Sequence, residues 1–234
     1  MVSSSADKNL ALWDTNKGEV TRKLKGHSKS VNSFDLGRRS SDLVVSGSDD
    51  CRVKVWDQRS KQAVLTFEFN YQITAVCFNH TTTEVFVGGV DNAIHLLDLK
   101  THLVSESLYG HKDTITGICL SKSGSFLLSN ALDQTLRAWD TRPFVQNQNR
   151  ELGVFEGARH NFEKNLLRCA WSRDDKLVSC GSSDGVAYLW DFETHKLKHQ
   201  LGGHKGSLNA LDFHPTSNIL ATCSSDKSVC VGEL

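Results

Sequence analysis

The sequence predicts an all-β fold built from a repeated small antiparallel sheet, and three observations support this prediction. An Asp recurs at intervals of 43, 41, 42, 51 and 42 residues along the 234-residue chain. Each Asp stands six residues before a position that is most often Trp. Short apolar runs, bounded by polar turn residues, fill the intervals. This period and these marks are typical of stacked repeats of four strands each.

The repeated Asp lies in six segments, and a Gly-His pair precedes it in three of them. His27, His111 and His204 supply the pairs, and the next repeated Asp lies 23, 22 and 22 residues later. These features resemble the WD-repeat family and imply a β-propeller, of which the chain touches six blades. The six segments read ADKNLALWD, DDCRVKVWD, VDNAIHLLD, LDQTLRAWD, SDGVAYLWD and SDKSVCVGE.

One repeat illustrates the predicted strands, which read SVNSFDL, LVVSGS, RVKVWD and AVLTFEF. Both faces of a blade pack on neighbouring blades, so its strands are more continuously apolar than those of an exposed sheet. The two prolines, Pro143 and Pro215, fall outside every predicted strand, as the loss of a backbone donor requires.

The repeat marks have a structural interpretation. In proteins that this repeat resembles, the loop His, the turn Asp, a strand Ser or Thr and the strand Trp form a buried hydrogen-bonded set. A catalytic interpretation of the His–Asp pairs would need a nucleophile beside them, and the pattern supplies none. The resemblance assigns to this set His27, Asp50, Trp56, His111, Asp133, Trp139, Asp184, Trp190, His204 and Asp226.

Two repeats depart from the pattern. The third has Leu97 in the Trp position and Phe69-Asn70 in place of Gly-His, so an apolar contact is expected there. The last keeps its His and Asp but has Gly232 in the Trp position, which packing does not explain.

The ends of the chain interrupt repeats. The chain begins without the first strand of a repeat and ends without an outer strand. We therefore expect residues 1–234 to form a single β-propeller domain that lacks about one blade upstream of Met1 and belongs to a seven-bladed ring; the alternative is irregular closure with six blades. Open blade edges expose unpaired backbone groups, so the isolated chain is expected to associate.

Composition excludes several function classes. Lys plus Arg and Asp plus Glu both number 27, so the basic excess that phosphate binding needs is missing. Seven Cys without a C-x-x-C pair argue against zinc and for buried free thiols. No secretory signal and no 18-residue apolar run occurs, so no membrane span is expected. No phosphate loop, H-E-x-x-H or G-x-S-x-G is present, so we predict no enzyme, cofactor or small-molecule substrate.

The longest interval between repeated Asp residues, from Asp133 to Asp184, contains the sequence that is most specific to one family member. It contains WDTRPF at 139–144, a polar run QNQNRE at 146–151 that is predicted as a surface loop, and ARHNFEKNLLRCAW at 158–171. Together with LLSNALDQTLRAWDTRPF, these stretches resemble the WD-repeat subunits of the spliceosomal U5 small nuclear ribonucleoprotein (snRNP). The resemblance implies a nuclear, non-catalytic scaffold in pre-mRNA splicing. Its partners would be the large core splicing protein, the GTPase and the helicase of the particle, with RNA touched only indirectly.

Part of the 158–171 segment is predicted to pack in the core and part to meet a partner. Leu166, Leu167, Cys169 and Trp171 are expected in the core, and His160 is expected to replace the Gly-His histidine. An aromatic residue among charged ones suits a protein interface. The partner-contact candidates here are Arg159, Asn161, Phe162, Glu163, Lys164 and Asn165, and a second set is Arg142, Pro143 and Phe144.

Three alternatives stay open at this point. A receptor for a cullin-type ubiquitin ligase is suggested by the W-D-x-R spelling at Trp56-Asp57-Gln58-Arg59 and Trp139-Asp140-Thr141-Arg142. A propeller enzyme lacks a visible acid–base or metal cluster. A direct RNA binder lacks a basic, aromatic stacking face, since the chain has only three Tyr and no net charge.

Overall fold

The computed structural model describes residues 1–39, 42–144 and 150–234. In these ranges the chain forms 22 strands in six antiparallel sheets, one for each repeat, which confirms the all-β propeller fold. Residues 146–149 of the predicted surface loop at 146–151 are outside the described residues. The chain divides into two compact units, Met1–Tyr109 and Gly110–Leu234.

The first unit contains three sheets, or blades, and their strands follow the predicted runs. The strands of the first blade are β1 (Val2–Ser4), β2 (Asn9–Asp14) and β3 (Glu19–Lys25). The second comprises β4 (Val31–Leu36), β5 (Leu43–Ser48), β6 (Arg52–Asp57) and β7 (Ala63–Glu68). The third comprises β8 (Ile73–Phe78), β9 (Glu84–Gly89), β10 (Ile94–Asp98) and β11 (Val104–Leu108).

The second unit also contains three blades. The fourth comprises β12 (Ile115–Leu120), β13 (Phe126–Ala131), β14 (Thr135–Asp140) and β15 (Glu151–Glu156). The fifth comprises β16 (Cys169–Trp171), β17 (Leu177–Gly181), β18 (Ala187–Asp191) and β19 (Leu197–Leu201). The sixth comprises β20 (Leu208–Phe213), β21 (Ile219–Ser224) and β22 (Val229–Glu233).

Each repeated Asp closes the tight turn between two strands of its blade. The residue after it has a positive φ in all six repeats, from 64° at Cys51 to 78° at Gly185. Such a conformation costs a non-glycine residue about 1 kcal/mol, so the turn needs support. The Asp Oδ1 supplies it in every repeat except the third, for example by accepting the backbone N–H of Arg52 on Asp50 and of Thr135 on Asp133, whereas Asp91 Oδ1 has no partner among the described residues.

Blades pack face to face inside each unit. In the first unit the Phe78 N–H on β8 donates to Asp35 Oδ2 on β4 at 2.8 Å. In the second unit the buried indole of Trp171 donates to the Cys119 carbonyl at 3.1 Å. There the His195 ring also packs 5.1 Å from the Phe155 ring, in space left free by Gly153.

The remaining expectations on packing have mixed outcomes. Leu167, Cys169 and Trp171 are buried as predicted, while Leu166 is half-buried. All seven Cys are free, but only Cys77, Cys169 and Cys180 are buried, and Cys230 is exposed. Among the residues that the structure describes, no helix has the length and apolar character for a membrane span, and no group of side chains suits a metal ion.

Candidate protein-interaction site

The second blade holds a buried chain of four polar side chains. Trp56 Nε1–H donates to Ser46 Oγ at 2.8 Å, and Ser46 lies 2.8 Å from His27 Nε2. The indole can only donate, so the Ser46 hydroxyl accepts from it; because burial lowers the pKa of His27, the hydroxyl donates to the unprotonated Nε2 of that ring. His27 is therefore neutral with its proton on Nδ1, which donates to Asp50 Oδ2 at 2.9 Å. A continuous series of three hydrogen bonds therefore links the Trp56 indole to the Asp50 carboxylate.

Burial explains the protonation of this chain. Desolvation lowers the pKa of His27, and the attraction of Asp50 does not overcome it. Desolvation also acts to raise the pKa of Asp50, but the N–H groups of Ser28 and His27 outweigh it, so that pKa lies below its ordinary value. A neutral imidazole and an ionised carboxylate are the forms that this geometry needs.

Other blades carry the same set in full or in part. In the fourth, Ser129 lies 2.8 Å from Trp139 Nε1 and 2.7 Å from His111 Nε2, and His111 Nδ1 lies 3.0 Å from Asp133. In the sixth, His204 contacts Thr222 at 2.9 Å and Asp226 at 3.1 Å, and Gly232 leaves Thr222 without an indole donor. The first blade has the Trp13–Ser3 bond at 2.8 Å.

In the structure, a serine hydroxyl lies beside two of the His–Asp pairs, where the sequence pattern showed no nucleophile. Ser46 and Ser129 complete Ser–His–Asp arrangements in two blades. Both serines are fully buried, at 0% exposure, and each also accepts an indole N–H. A substrate cannot reach these oxygens, so the arrangement holds a turn and does not act as a nucleophile.

The third and fifth blades replace the loop His with a ring four residues after the Asp. His95 Nε2 lies 2.6 Å from Asp91 Oδ2, and the Tyr188 hydroxyl donates to Asp184 Oδ2 at 2.9 Å. The expected apolar contact in the third blade is present, since Leu97 is buried, but sequence reasoning missed His95. The signal was a ring donor at this position in the third and fifth repeats, both of which lack Gly-His.

The prediction that His160 replaces the Gly-His histidine is wrong. Its Nδ1 is buried without a hydrogen-bond partner among the described residues, while Asp184 takes its bond from Tyr188. Gly157 has the positive φ, 128°, that Gly26 and Gly203 also show before their histidines. Ala158 therefore occupies the histidine position, because the insertion follows it in the chain. Trp190 stacks on Tyr188 in place of a Trp–Ser bond.

The inserted segment, residues 158–168, is fastened at both ends through its backbone. Near the start, the Arg159 N–H donates to Ser182 Oγ at 2.9 Å. Near the end, the Leu167 carbonyl accepts from Thr116 Oγ1 at 3.0 Å and Asn130 Nδ2 at 3.2 Å. The Arg168 N–H then donates to the Asn209 carbonyl at 2.9 Å. Contacts from three blades of one unit therefore fix the loop.

The middle of this loop, residues 159–165, points its large side chains outward. Phe162 is 92% exposed, and Arg159 and Lys164 are exposed as well. Asn161 Oδ1 accepts the Glu163 N–H at 3.1 Å, and Asn165 Nδ2 donates to the Glu163 carboxylate at 2.9 Å. We name residues 159–165 the docking loop.

The second candidate set projects one aromatic ring from the end of β14. Phe144 is 96% exposed, and Pro143 beside it is exposed. Arg142 folds back so that its Nε lies 3.0 Å from each oxygen of the buried Asp140. Arg59 likewise folds onto Asp57, which lowers the pKa of Asp57 to about 2. Both arginines of the W-D-x-R spelling are thus paired with the aspartate of their own motif.

Comparison with known proteins identifies the family. Residues 18–57, 103–140, 150–191 and 195–231 match the family described as WD domain, G-beta repeat. The chain belongs to the WD-repeat family. The unmatched interval between the first two WD matches includes the third repeat, where His and Trp are both replaced.

Three relatives define the position of this WD-repeat chain more closely. It is 48% identical over 231 residues to pre-mRNA-splicing factor cwf17 of Schizosaccharomyces pombe, across 99% of this chain and 67% of that protein. It is 46% identical over 221 residues to the U5 small nuclear ribonucleoprotein 40 kDa protein of Homo sapiens, across 94% of this chain and 62% of that protein. It is 42% identical over 235 residues to the protein of the same name in Dictyostelium discoideum, across 99% of this chain and 65% of that protein. The chain spans about two thirds of the length of these relatives, and the expected resemblance is confirmed.

Proposed function

We propose that this chain is a non-catalytic WD-repeat scaffold of the U5 snRNP that acts in pre-mRNA splicing through protein–protein contacts. The observation that supports it most is identity of 42 to 48% to splicing proteins across 94 to 99% of the chain. A shared role in the same particle is the simplest reason for such similarity outside the generic repeat marks. A nuclear location follows from the same proposal.

The geometry suits a scaffold because its polar groups are used to hold turns. The repeated Asp residues and their buried partners rigidify the blades, and connecting loops remain free to bind. The two most exposed aromatic side chains of the described residues, Phe144 and Phe162, stand on such connections. We propose that the docking loop and the turn at Arg142, Pro143 and Phe144 contact partners.

The partners in this proposal are the large core splicing protein, the GTPase and the helicase of the particle. RNA is then reached through them, in agreement with equal numbers of acidic and basic residues in the chain. No membrane and no small-molecule substrate takes part.

The test is recovery of the tagged chain from nuclear extract, with and without ribonuclease. We expect U5 RNA and core splicing proteins to co-purify, and the proteins to remain bound after ribonuclease treatment. Recovery of neither above the level of an untagged extract would refute the scaffold role. Loss of every protein after ribonuclease would instead indicate a contact made through RNA.

A further inference from the structure

Phe162 is exposed to an extent that folding alone does not explain. A Phe side chain is among the residues that lose most by standing in water, and aromatic residues dominate binding energy at protein interfaces. Its side chain is 92% exposed at the tip of a loop that three blades hold in place. The fold therefore presents the ring outward on a fixed support.

The charged side chains around Phe162 give the docking loop a net positive charge. Glu163, its one acidic residue, is exposed and bonds to neutral amide groups, with Asn165 Nδ2 at 2.9 Å and Asn161 Nδ2 at 3.4 Å. The side chains of Arg159 and Lys164 make no hydrogen bond or ion pair within the described part of the chain. Two cations without an ion-pair partner among the described residues thus flank the exposed ring along the sequence, against one carboxylate.

The loop is also set in its conformation before any partner arrives. Lys164 has a left-handed φ of 50°, and its N–H donates to the Asn161 carbonyl at 3.2 Å. A loop that is already ordered loses less conformational entropy on binding, which is a general route to affinity. The strained backbone at Lys164 is maintained because the adjoining Asn and Glu side chains brace the turn.

We propose that Phe162 inserts into an apolar pocket on a partner protein whose rim carries Asp and Glu side chains facing Arg159 and Lys164. This inference rests on the proposed scaffold function and specifies its contact. A protein fits better than RNA, because the chain has equal numbers of acidic and basic residues and lacks the basic excess that phosphate binding needs. One aromatic ring also makes a poor platform for stacking successive bases.

The experiment compares full-length tagged variants for recovery of U5 proteins from ribonuclease-treated nuclear extract. Phe162→Ala and Lys164→Glu are each expected to lower recovery at least tenfold with an unchanged melting temperature. Lys196→Glu is the matched control, since Lys196 is exposed in the same unit. Asn165→Ala should release Glu163 and weaken recovery several-fold, and adding Glu163→Gln should restore it.

A photo-crosslinking residue at position 162 identifies the contact directly. We expect crosslinks to protein peptides that combine apolar residues with Asp or Glu. Crosslinks to RNA, or recovery by the loop variants equal to that of the unmodified chain, would overturn this inference and leave the scaffold function standing. If the unmodified chain itself recovers no U5 component, the scaffold function and the inference both fail.

Discussion

Removing the turn carboxylate of the fourth blade tests the physical basis of the fold. Asp133 accepts the N–H groups of Lys112 and Thr135, the Thr135 hydroxyl and His111 Nδ1, at 2.7 to 3.0 Å. In Asp133→Ala the imidazole of His111, whose side chain is 1% exposed, loses the acceptor at 3.0 Å and keeps a buried donor with only the longer contact to Thr135 Oγ1 at 3.3 Å. That donor costs about 2 kcal/mol and the two less buried N–H groups about 0.5 kcal/mol each, so the unfolding free energy should fall by about 3 kcal/mol.

For a chain of this size the loss corresponds to a fall in melting temperature of about 6 to 12 °C, which circular dichroism measures. The control is Asp98→Ala, because Asp98 accepts the N–H groups of Lys100 and Thr101 in an exposed turn. Equal falls for the Asp133 and Asp98 variants would refute the argument that burial makes the turn carboxylate important.

Three further predictions concern other positions. Tyr188→Phe should lower the unfolding free energy by about 1 kcal/mol because it removes a bond to the turn carboxylate of the fifth blade, whereas His160→Ala should cost no more than about 0.5 kcal/mol; the reverse order in urea titrations would contradict this assignment. The pKa of His27 is lowered from 6.5 by burial, so below pH 6.5 the unfolded chain takes up a proton that the folded chain resists. The urea midpoint should therefore fall as pH drops from 7.5 to 5.5, less steeply in His27→Phe, and a parallel decline in both proteins would count against it. Gly153→Ala should destabilise the fold by about 1 to 3 kcal/mol because a Cβ would overlap the His195 ring, and His195→Ala in the same chain should relieve it, which thermal melts can check.

Most of the fold could be predicted because the repeat is a local pattern. The Asp fixes a turn through the residue two positions later, and the strands on either side alternate with polar turns that are visible in the sequence. The partners of the polar sets in the second and fourth blades follow from the same spacing. The partners in the third and fifth blades do not, because His95 and Tyr188 donate from a position that the repeat leaves variable.

The inserted loop shows the same limit at the candidate site. Its spelling suggested an interface, and the exposure of Phe162 agrees with that expectation. Its support could not be predicted, because Thr116, Asn130 and Asn209 lie far from the loop in sequence and meet it only when blades pack. His160 was misassigned for the related reason that spacing counts residues without knowing where an insertion begins.

The sequence by itself determined the number of blades, the strands and the carboxylates that close their turns, since each depends on contacts within a few residues or one repeat. Only the tertiary structure decided which ring donates a hydrogen bond to the turn carboxylate, which hydroxyls are buried and which side chains of the docking loop are exposed. Those properties depend on burial and on contacts between neighbouring blades, and neither can be predicted from residues that are adjacent in the sequence.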